Sequence, residues 1–150
     1  MTNKELIESY PWLARRNRYN DELLEDDQWT ELDDMPDGWR IAFGEQMCKE
    51  MNNEMLTWSE EEYDDFRIIE IKEKYGSLRV YVNHEPEKLH EIIKKYSKMS
   101  EEICVDCGKP ARWISTGWVC PYCDNCAHEI YKHTRKSDWN KCFIEIKKED

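Results

Sequence analysis

The chain has 150 residues, of which 37% are charged, and a formal net charge of −11. This length is enough for one domain with a hydrophobic core, or for a core with a small appended unit. Seven Trp and eight Tyr exclude a disordered acidic tail. No stretch approaches the roughly 18 apolar residues that a membrane span needs. The first five residues, MTNKE, contain no apolar run or cleavage site, so we expect no secretory signal and a cytoplasmic location.

The first hundred residues predict a core that mixes helices and strands. Residues 1–20 indicate an irregular or short helical segment that packs Trp12 and Leu13, and residues 21–36 form an acidic connection. Asp37 is a plausible N-cap for a helix over 38–56. Aromatic and methionine residues recur there at every fourth position, which is typical of a buried helix face. The residues of this stripe are Trp39, Phe43, Met47, Met51 and Met55.

A β-hairpin is predicted over 66–83, with its turn at Gly76. Because side chains alternate along a strand, Leu78, Val80 and Val82 share one face, while Arg79 and Tyr81 share the other. With Tyr75, these two polar residues outline a possible small pocket on the open face. Pro86 suits the first turn of a helix over 86–100 that packs against the hairpin.

Two cysteine pairs, Cys104/Cys107 and Cys123/Cys126, follow the core with fifteen residues between them. The pattern C-x2-C…C-x2-C is typical of a structural zinc site, in which four thiolates close a tetrahedron. We therefore predict a zinc-ribbon-like unit over 102–150, joined to the α+β region of 1–101 in one body. Two short strands around Gly117, a helix over about 127–136 and a strand over 142–146 complete it.

The sequence leaves open two alternatives to this set of four zinc ligands: disulfide bonds, and the replacement of a ligand by a neighbouring residue. Disulfides among these cysteines would need an oxidising compartment. Cys120 forms a second C-x2-C with Cys123, although Pro121 stiffens the backbone between them. His128 is a weaker substitute for Cys126, and Cys48 and Cys142 are typical of small core residues.

Charge is distributed unevenly. Residues 20–65 contain seventeen Asp or Glu and two basic residues, which gives −15, and the rest of the chain sums to +4. Such a surface repels nucleic-acid backbones and attracts basic proteins. It is equally consistent with a solvated face that keeps the chain dispersed. The candidate partner-binding residues are Glu25, Asp26, Asp27, Glu31, Asp33 and Asp34.

Several segments together resemble a known group of sequences: TELDDMPDGWR (30–40), KEKYGSLR (72–79), the cysteine motif of 100–111, and residues 117–118 and 121–124. The set resembles a family of small, uncharacterised cysteine-motif proteins of bacteriophage and prophage genomes. The likeness covers about residues 10–127. It implies an accessory protein that acts inside a bacterial cell. In that family pattern the position of Cys120 is not usually cysteine, which favours Cys123 and Cys126 as ligands.

Three functional hypotheses follow. The first is a non-enzymatic, zinc-stabilised protein that binds a basic host protein through its acidic surface and inhibits a nucleic-acid-binding or defence factor. The second is a nucleic-acid-binding zinc module that uses nearby basic residues, namely Lys109, Arg112, Lys132, Arg135 and Lys136. The third is a small-ligand-binding protein or enzyme that uses Tyr75, Arg79 and Tyr81. The sequence contains no H-E-x-x-H, Walker A or G-x-S-x-G motif.

Overall fold

The computed structural model describes residues 1–17, 19–24, 28–134 and 138–146. It confirms the predicted α+β class, with helices packed on a two-stranded antiparallel sheet and a second, three-stranded sheet near the C-terminus. The helices and strands are numbered below in chain order.

The N-terminal segment is partly helical, as predicted. Helix α1 (Asn3–Ser9) begins at a capping box, in which the Thr2 hydroxyl accepts from the Glu5 amide and the Glu5 carboxylate accepts from the Thr2 amide. A 3₁₀ turn over Pro11–Leu13 follows and buries Trp12 and Leu13. This segment therefore closes one side of the core.

The acidic connection contains a second 3₁₀ turn, Glu31–Asp34, which buries Leu32. Asp33 accepts from the Thr30 amide at 2.7 Å, and its other oxygen accepts from the Arg40 guanidinium. Asp33 thus joins the connection to the helix that follows.

That central helix is one helical run in three parts: α2 (Asp37–Trp39), a π-helical segment over Arg40–Gly44, and α3 (Glu45–Met55). The predicted range of 38–56 is close, but the prediction that Asp37 is the N-cap is wrong. Pro36 occupies the N-cap and Asp37 is the first helical residue. Proline suits this position because the first amides of a helix have no partner within it.

The π-helical segment explains the strict four-residue spacing of the buried stripe. In a regular α-helix, each step of four residues turns about 40° past a full circle, so such a stripe would wind around the helix. The wider π turn offsets part of this drift. The five residues of the stripe are at most 3% exposed, so they form core, as the sequence indicated.

The hairpin comprises β1 (Ile68–Lys74) and β2 (Ser77–Val82), inside the predicted 66–83. Its two-residue turn is Tyr75-Gly76, and both residues have positive φ, 52° and 80°. This conformation matches the primed turns that favour Asn-Gly. Leu78 and Val80 are buried, whereas Arg79 and Tyr81 are exposed, as predicted.

Helix α5 (Glu87–Ser100) packs across the inner face of the hairpin and begins just after Pro86. A polar contact fixes β2 to α5, since the Leu78 amide donates to the buried Ser100 hydroxyl at 2.9 Å.

The short helix α4 (Glu60–Asp65), which was not predicted from the sequence, precedes the hairpin.

The C-terminal unit contains β3 (Trp113–Ser115), β4 (Pro121–Tyr122), α6 (Asp124–Lys132), α7 (Trp139–Cys142) and β5 (Phe143–Glu145), with sheet order β4-β3-β5. Two predictions need correction. The helix expected over 127–136 begins at Asp124, because Cys123 caps it. The second of the two strands expected around Gly117 is β4, which begins only at Pro121, four residues after that glycine.

Backbone contacts join this unit to the central helix. The Gly38 amide donates to the Val105 carbonyl at 2.9 Å, and the Trp39 indole donates to the Ile103 carbonyl at 2.9 Å. A Cβ atom on Gly38 would lie 2.2 Å from the Cys104 carbonyl oxygen, so this close approach requires glycine. The core and the cysteine unit therefore pack backbone to backbone.

Among the described residues, no helix combines the length and apolar character that crossing a bilayer would require.

Gly38→Ala should destabilise the protein. The new Cβ would clash with backbone atoms of Cys104, Val105 and Gly108, which cannot rotate away as a side chain could. Overpacking of this kind costs about 3 kcal/mol, which corresponds to a Tm decrease of roughly 6–12 °C for a chain of this size. Differential scanning calorimetry measures the change.

The matched control is Gly44→Ala, also in the central helix, where the nearest atom to a new Cβ is Arg40 Cγ at 3.3 Å. We expect it to remain within about 1 kcal/mol of the parent protein. Equal stability of the Gly38 and Gly44 variants would contradict the packing argument.

Candidate metal centre

The four paired cysteines lie together at the junction of the core and the C-terminal unit. The sulfur atoms of Cys104, Cys107, Cys123 and Cys126 all lie within 4.8 Å of one another. Cys104 and Cys123 are buried, and the other two are half-buried. The structure thus brings together the four residues that the sequence singled out.

The first pair lies on a tight knuckle. The Cys104 amide donates to the Lys109 carbonyl at 2.8 Å, and the Gly108 amide donates to the Cys104 carbonyl at 3.0 Å. Gly108 has a φ of 84°, which only glycine adopts without strain. This turn places the sulfurs of Cys104 and Cys107 on the same side of the knuckle.

The second pair belongs to the N-terminus of α6. Cys123 is the N-cap, and its sulfur accepts from the Cys126 amide at 3.4 Å. The free amides and dipole at a helix N-terminus favour the thiolate form of cysteine. The helix therefore supplies both the spacing of this pair and part of its electrostatic stabilisation.

The pKa values of the thiols differ because their surroundings differ. Burial raises the pKa of Cys107 and of Cys126. Burial also acts to raise the pKa of Cys123, but the hydrogen bonds from the Cys126 amide and the neighbouring thiols outweigh it, so the pKa lies below its ordinary value. The surroundings of Cys123 accordingly favour its thiolate form, whereas burial disfavours that form at Cys107 and Cys126.

This donor set fits a tetrahedral thiophilic ion. A Zn–S distance of about 2.3 Å requires sulfur–sulfur separations of about 3.8 Å. The Cys107 and Cys123 sulfurs are 3.4 Å apart, and the whole group lies within 4.8 Å, which brackets that value. All seven cysteines are free thiols. The cluster could therefore hold one metal ion with four sulfur ligands.

The alternative ligands lie elsewhere. Cys120 is 4% exposed and belongs to the hydrophobic core, and burial raises the pKa of its thiol to about 12. The His128 ring stacks on Trp139 with centroids 4.5 Å apart, and its Nδ1 lies 2.7 Å from the Asp124 carbonyl oxygen. Both side chains are thus outside the sulfur group.

An aromatic cluster supports α6 on the side of the C-terminal strand. Trp139 of α7 packs edge-on against Trp113 and Tyr131 and lies over Phe143. The Trp113 indole donates to the Asp124 carboxylate at 2.8 Å. This cluster holds the helix that carries the second cysteine pair.

The predicted partner-binding acids are only partly available. Asp34 forms an ion pair with Arg15 at 2.8 Å, and Asp33 is engaged by Arg40. Glu31 is half-buried in its 3₁₀ turn. Residues 25–27 lie outside the described part of the chain.

The predicted pocket residues occupy the outer face of the hairpin. Tyr75 is 78% exposed at its tip and lines a cleft that also includes Trp118, which is equally exposed. Arg79 and Tyr81 lie further along the strand and do not line this cleft. Trp118 was not among the predicted pocket residues, although its position after Gly117 in a predicted turn indicates exposure.

No protein-family model, curated protein or solved structure matches this chain.

Cys107→Ser should remove one ligand and lower the metal affinity at least about 100-fold, because even substitutions behind the ligands cost 10–100-fold. Elemental analysis should give one bound ion per chain for the parent and much less for the variant. The control Cys120→Ala should retain the ion. Loss of metal from both variants, or from neither, would contradict the assignment of ligands.

Metal binding should also weaken on acidification. The ligands must be deprotonated to bind, and burial raises the pKa of Cys107 and Cys126, so protons compete with the ion as the pH falls. Chelator competition between about pH 8 and pH 6 should show a decreasing affinity. An affinity independent of pH would exclude thiolate ligands.

Proposed function

We propose that this protein is a non-enzymatic binding protein, stabilised by a structural zinc ion, that captures a basic partner protein through its acidic surface. The observation that carries this proposal is the charge of −15 over residues 20–65. Strong single-sign fields of this kind accelerate the capture of oppositely charged proteins.

Zinc suits the site because four cysteine thiolates are the typical ligands of structural zinc. Soft sulfur ligands select zinc or iron–sulfur chemistry over magnesium and calcium. A zinc ion with four protein ligands would hold the knuckle to the start of α6. In this proposal the ion stabilises the fold, and binding takes place elsewhere on the surface.

Helix α4 carries the largest group of neighbouring exposed acids in the described part of the acidic segment. Glu60, Glu61, Asp64 and Asp65 are exposed around one shallow depression, and within the described residues none of their side chains forms a salt bridge. Asp33 and Asp34 are engaged within the chain, so α4 supports the proposal better than they do.

The basic residues near the cysteines give less support to a nucleic-acid-binding zinc module. Arg112 lies 3.3 Å from Glu145 and 3.5 Å from Asp124, and Lys132 lies 2.9 Å from Glu129. Arg135 and Lys136 lie outside the described residues. Intramolecular pairing thus reduces the positive charge that this surface can offer to phosphates.

The resemblance to phage and prophage proteins extends the proposal to its context. A basic surface in a bacterial host is typical of nucleic-acid-binding proteins and of enzymes that act on nucleic acids. We therefore propose that the partner is a host protein of this kind. By covering the partner's basic surface, this protein would inhibit the partner's action on nucleic acid.

Replacing the four α4 acids with their amides (Glu60→Gln, Glu61→Gln, Asp64→Asn and Asp65→Asn) should strongly reduce capture of a basic host protein from bacterial lysate, because the negative field at α4 is largely neutralised. Quantitative mass spectrometry of the captured proteins at low and high salt measures the effect. Capture by the parent protein should decrease with salt.

The matched control changes the net charge equally at exposed positions elsewhere: Glu87→Gln, Glu91→Gln, Glu101→Gln and Glu102→Gln. This control should retain the partner. Undiminished capture of the same partner by the α4 variant would refute the proposal.

A further inference from the structure

We propose that the outer face of the hairpin tip binds a single-stranded nucleic acid, with a base against Tyr75 and Trp118 and the phosphates along Lys72, Lys74 and Arg79. This surface is separate from the acidic one. Because the chain carries a net charge of −11, such a site needs a local excess of positive charge.

The tip of the hairpin and the β3–β4 loop enclose a cleft of about 330 Å³. Residues 72–75, namely Lys72, Glu73, Lys74 and Tyr75, line one side, and residues 117–119 line the other. This volume is at the lower end of the range for small-molecule pockets, so the cleft suits one planar ring better than a larger ligand. Two tryptophan- or tyrosine-type rings at such a cleft provide stacking surfaces for a base.

One carboxylate holds both walls of the cleft. Glu73 accepts from the Trp118 indole at 2.7 Å and, through its other oxygen, from the Gly76 amide at 2.9 Å. Trp118 is therefore fixed although it is 78% exposed. Glu73 therefore lines the cleft as a carboxylate whose two oxygens are both engaged by donors of the cleft walls.

Tyr75 adopts a conformation that its residue type disfavours. Its φ of 52° lies in the left-handed region, which costs a side chain other than Gly, Asn or Asp roughly 1–2 kcal/mol. The side chain gains no burial in return, since it is 78% exposed. A strained, exposed aromatic residue at the rim of a cleft points to a role in binding.

Positive charge extends from the cleft along the strands. Lys72 pairs directly with Arg79 across the hairpin, so both project from the outer face together with Lys74. Neither Lys74 nor Arg79 has a salt-bridge partner among the described residues, whereas Lys72 lies 3.5 Å from Glu70. The cations thus occupy two successive levels of the outer face, Lys72 with Arg79 and then Lys74, which suits successive phosphates of a backbone.

The lysines also lie beside aromatic rings. Lys74 Nζ is 5.9 Å from the centroid of Tyr75, and Lys72 Nζ is 5.6 Å from that of Tyr81. Ring and charge thus alternate along the face, as base and phosphate alternate along a single strand.

Distance limits the repulsion from the acidic helix α4. That helix precedes β1, and the seven residues of β1 separate it from the tip by about 20 Å. The Debye length at physiological ionic strength is about 8 Å, so the α4 charges are largely screened at the cleft. Around the cleft itself, the three cations Lys72, Lys74 and Arg79 outnumber the two carboxylates of Glu70 and Glu73.

Tyr75→Asn tests the assignment without harming the fold, because asparagine suits the left-handed turn position better than tyrosine. We expect unchanged or higher thermal stability. Stacking contributes about 1–3 kcal/mol per base, so the affinity for a fluorescein-labelled oligothymidylate should decrease about 5- to 150-fold in fluorescence anisotropy. Lys74→Gln should also weaken binding.

The controls are Tyr19→Asn and Lys88→Gln, which make the same exchanges at exposed positions away from the cleft and should leave the affinity unchanged. With three cations on phosphates, the slope of log K against log salt should be about −2 for a single strand.

Three results would overturn the proposal. They are no binding by the parent protein at 100 µM in low salt, an affinity that Tyr75→Asn leaves unchanged, and binding of polyglutamate or of free thymidine monophosphate as tight as that of the oligonucleotide. The fourfold α4 variant should bind the oligonucleotide at least as well as the parent, so failure here is distinguishable from failure of the acidic-surface proposal.

Discussion

The structure depends on the close backbone contact between the start of the central helix and the first cysteine knuckle. Gly38 donates to the Val105 carbonyl, and the space for a side chain at Gly38 is filled by the Cys104 carbonyl. Gly108 meets the same helix from the opposite side, where a Cβ would lie 2.6 Å from the Gly38 carbonyl oxygen. Two glycines thus let two polar backbone segments pack as closely as side chains do in a core.

This contact links the metal ligands to the hydrophobic core. Cys104 is fully buried, and its neighbour Val105 belongs to the core cluster that includes Trp39. A metal ion that fixes the knuckle would also fix the first turn of the central helix. Metal binding and folding are then a single equilibrium, as in small proteins whose metal sites form only in the folded state.

The same unit positions the exposed surface on the hairpin. Trp118 lies in the loop between β3 and β4, only five residues before Cys123, and Glu73 of β1 holds its indole. Gly76 in the hairpin turn approaches this loop, since a Cβ there would lie 3.2 Å from the Val119 carbonyl oxygen. The loop that leads into the second cysteine pair therefore also forms one wall of the cleft.

Much of this architecture was predictable from sequence. The cysteine spacing located the metal cluster, and alternation along residues 78–82 assigned the two faces of the hairpin correctly. The period-four stripe from Trp39 to Met55 predicted the central helix and its buried side. These patterns succeed because they are local and follow directly from helix and strand geometry.

Other features depend on contacts between distant segments or on weaker signals. Nothing near Gly38 in the sequence indicates the knuckle that packs on it, 66 residues away at Cys104. Helix α4 has no apolar stripe, and its one signal was the Ser59 cap, whose hydroxyl accepts from the Glu62 amide at 3.2 Å. The pairing of Asp33 with Arg40 likewise needed the tertiary structure, because charge counts alone do not distinguish paired acids from free ones.

Hydrogen–deuterium exchange in the metal-bound and chelator-treated protein tests the coupling of the metal centre to the core most directly. The account predicts that removing the metal lowers protection of the amides in α3 and β2 at least 100-fold, although both lie outside the cysteine unit. Full protection of α3 and β2 after the metal has been removed would contradict it, because the core would then be stable without the knuckle.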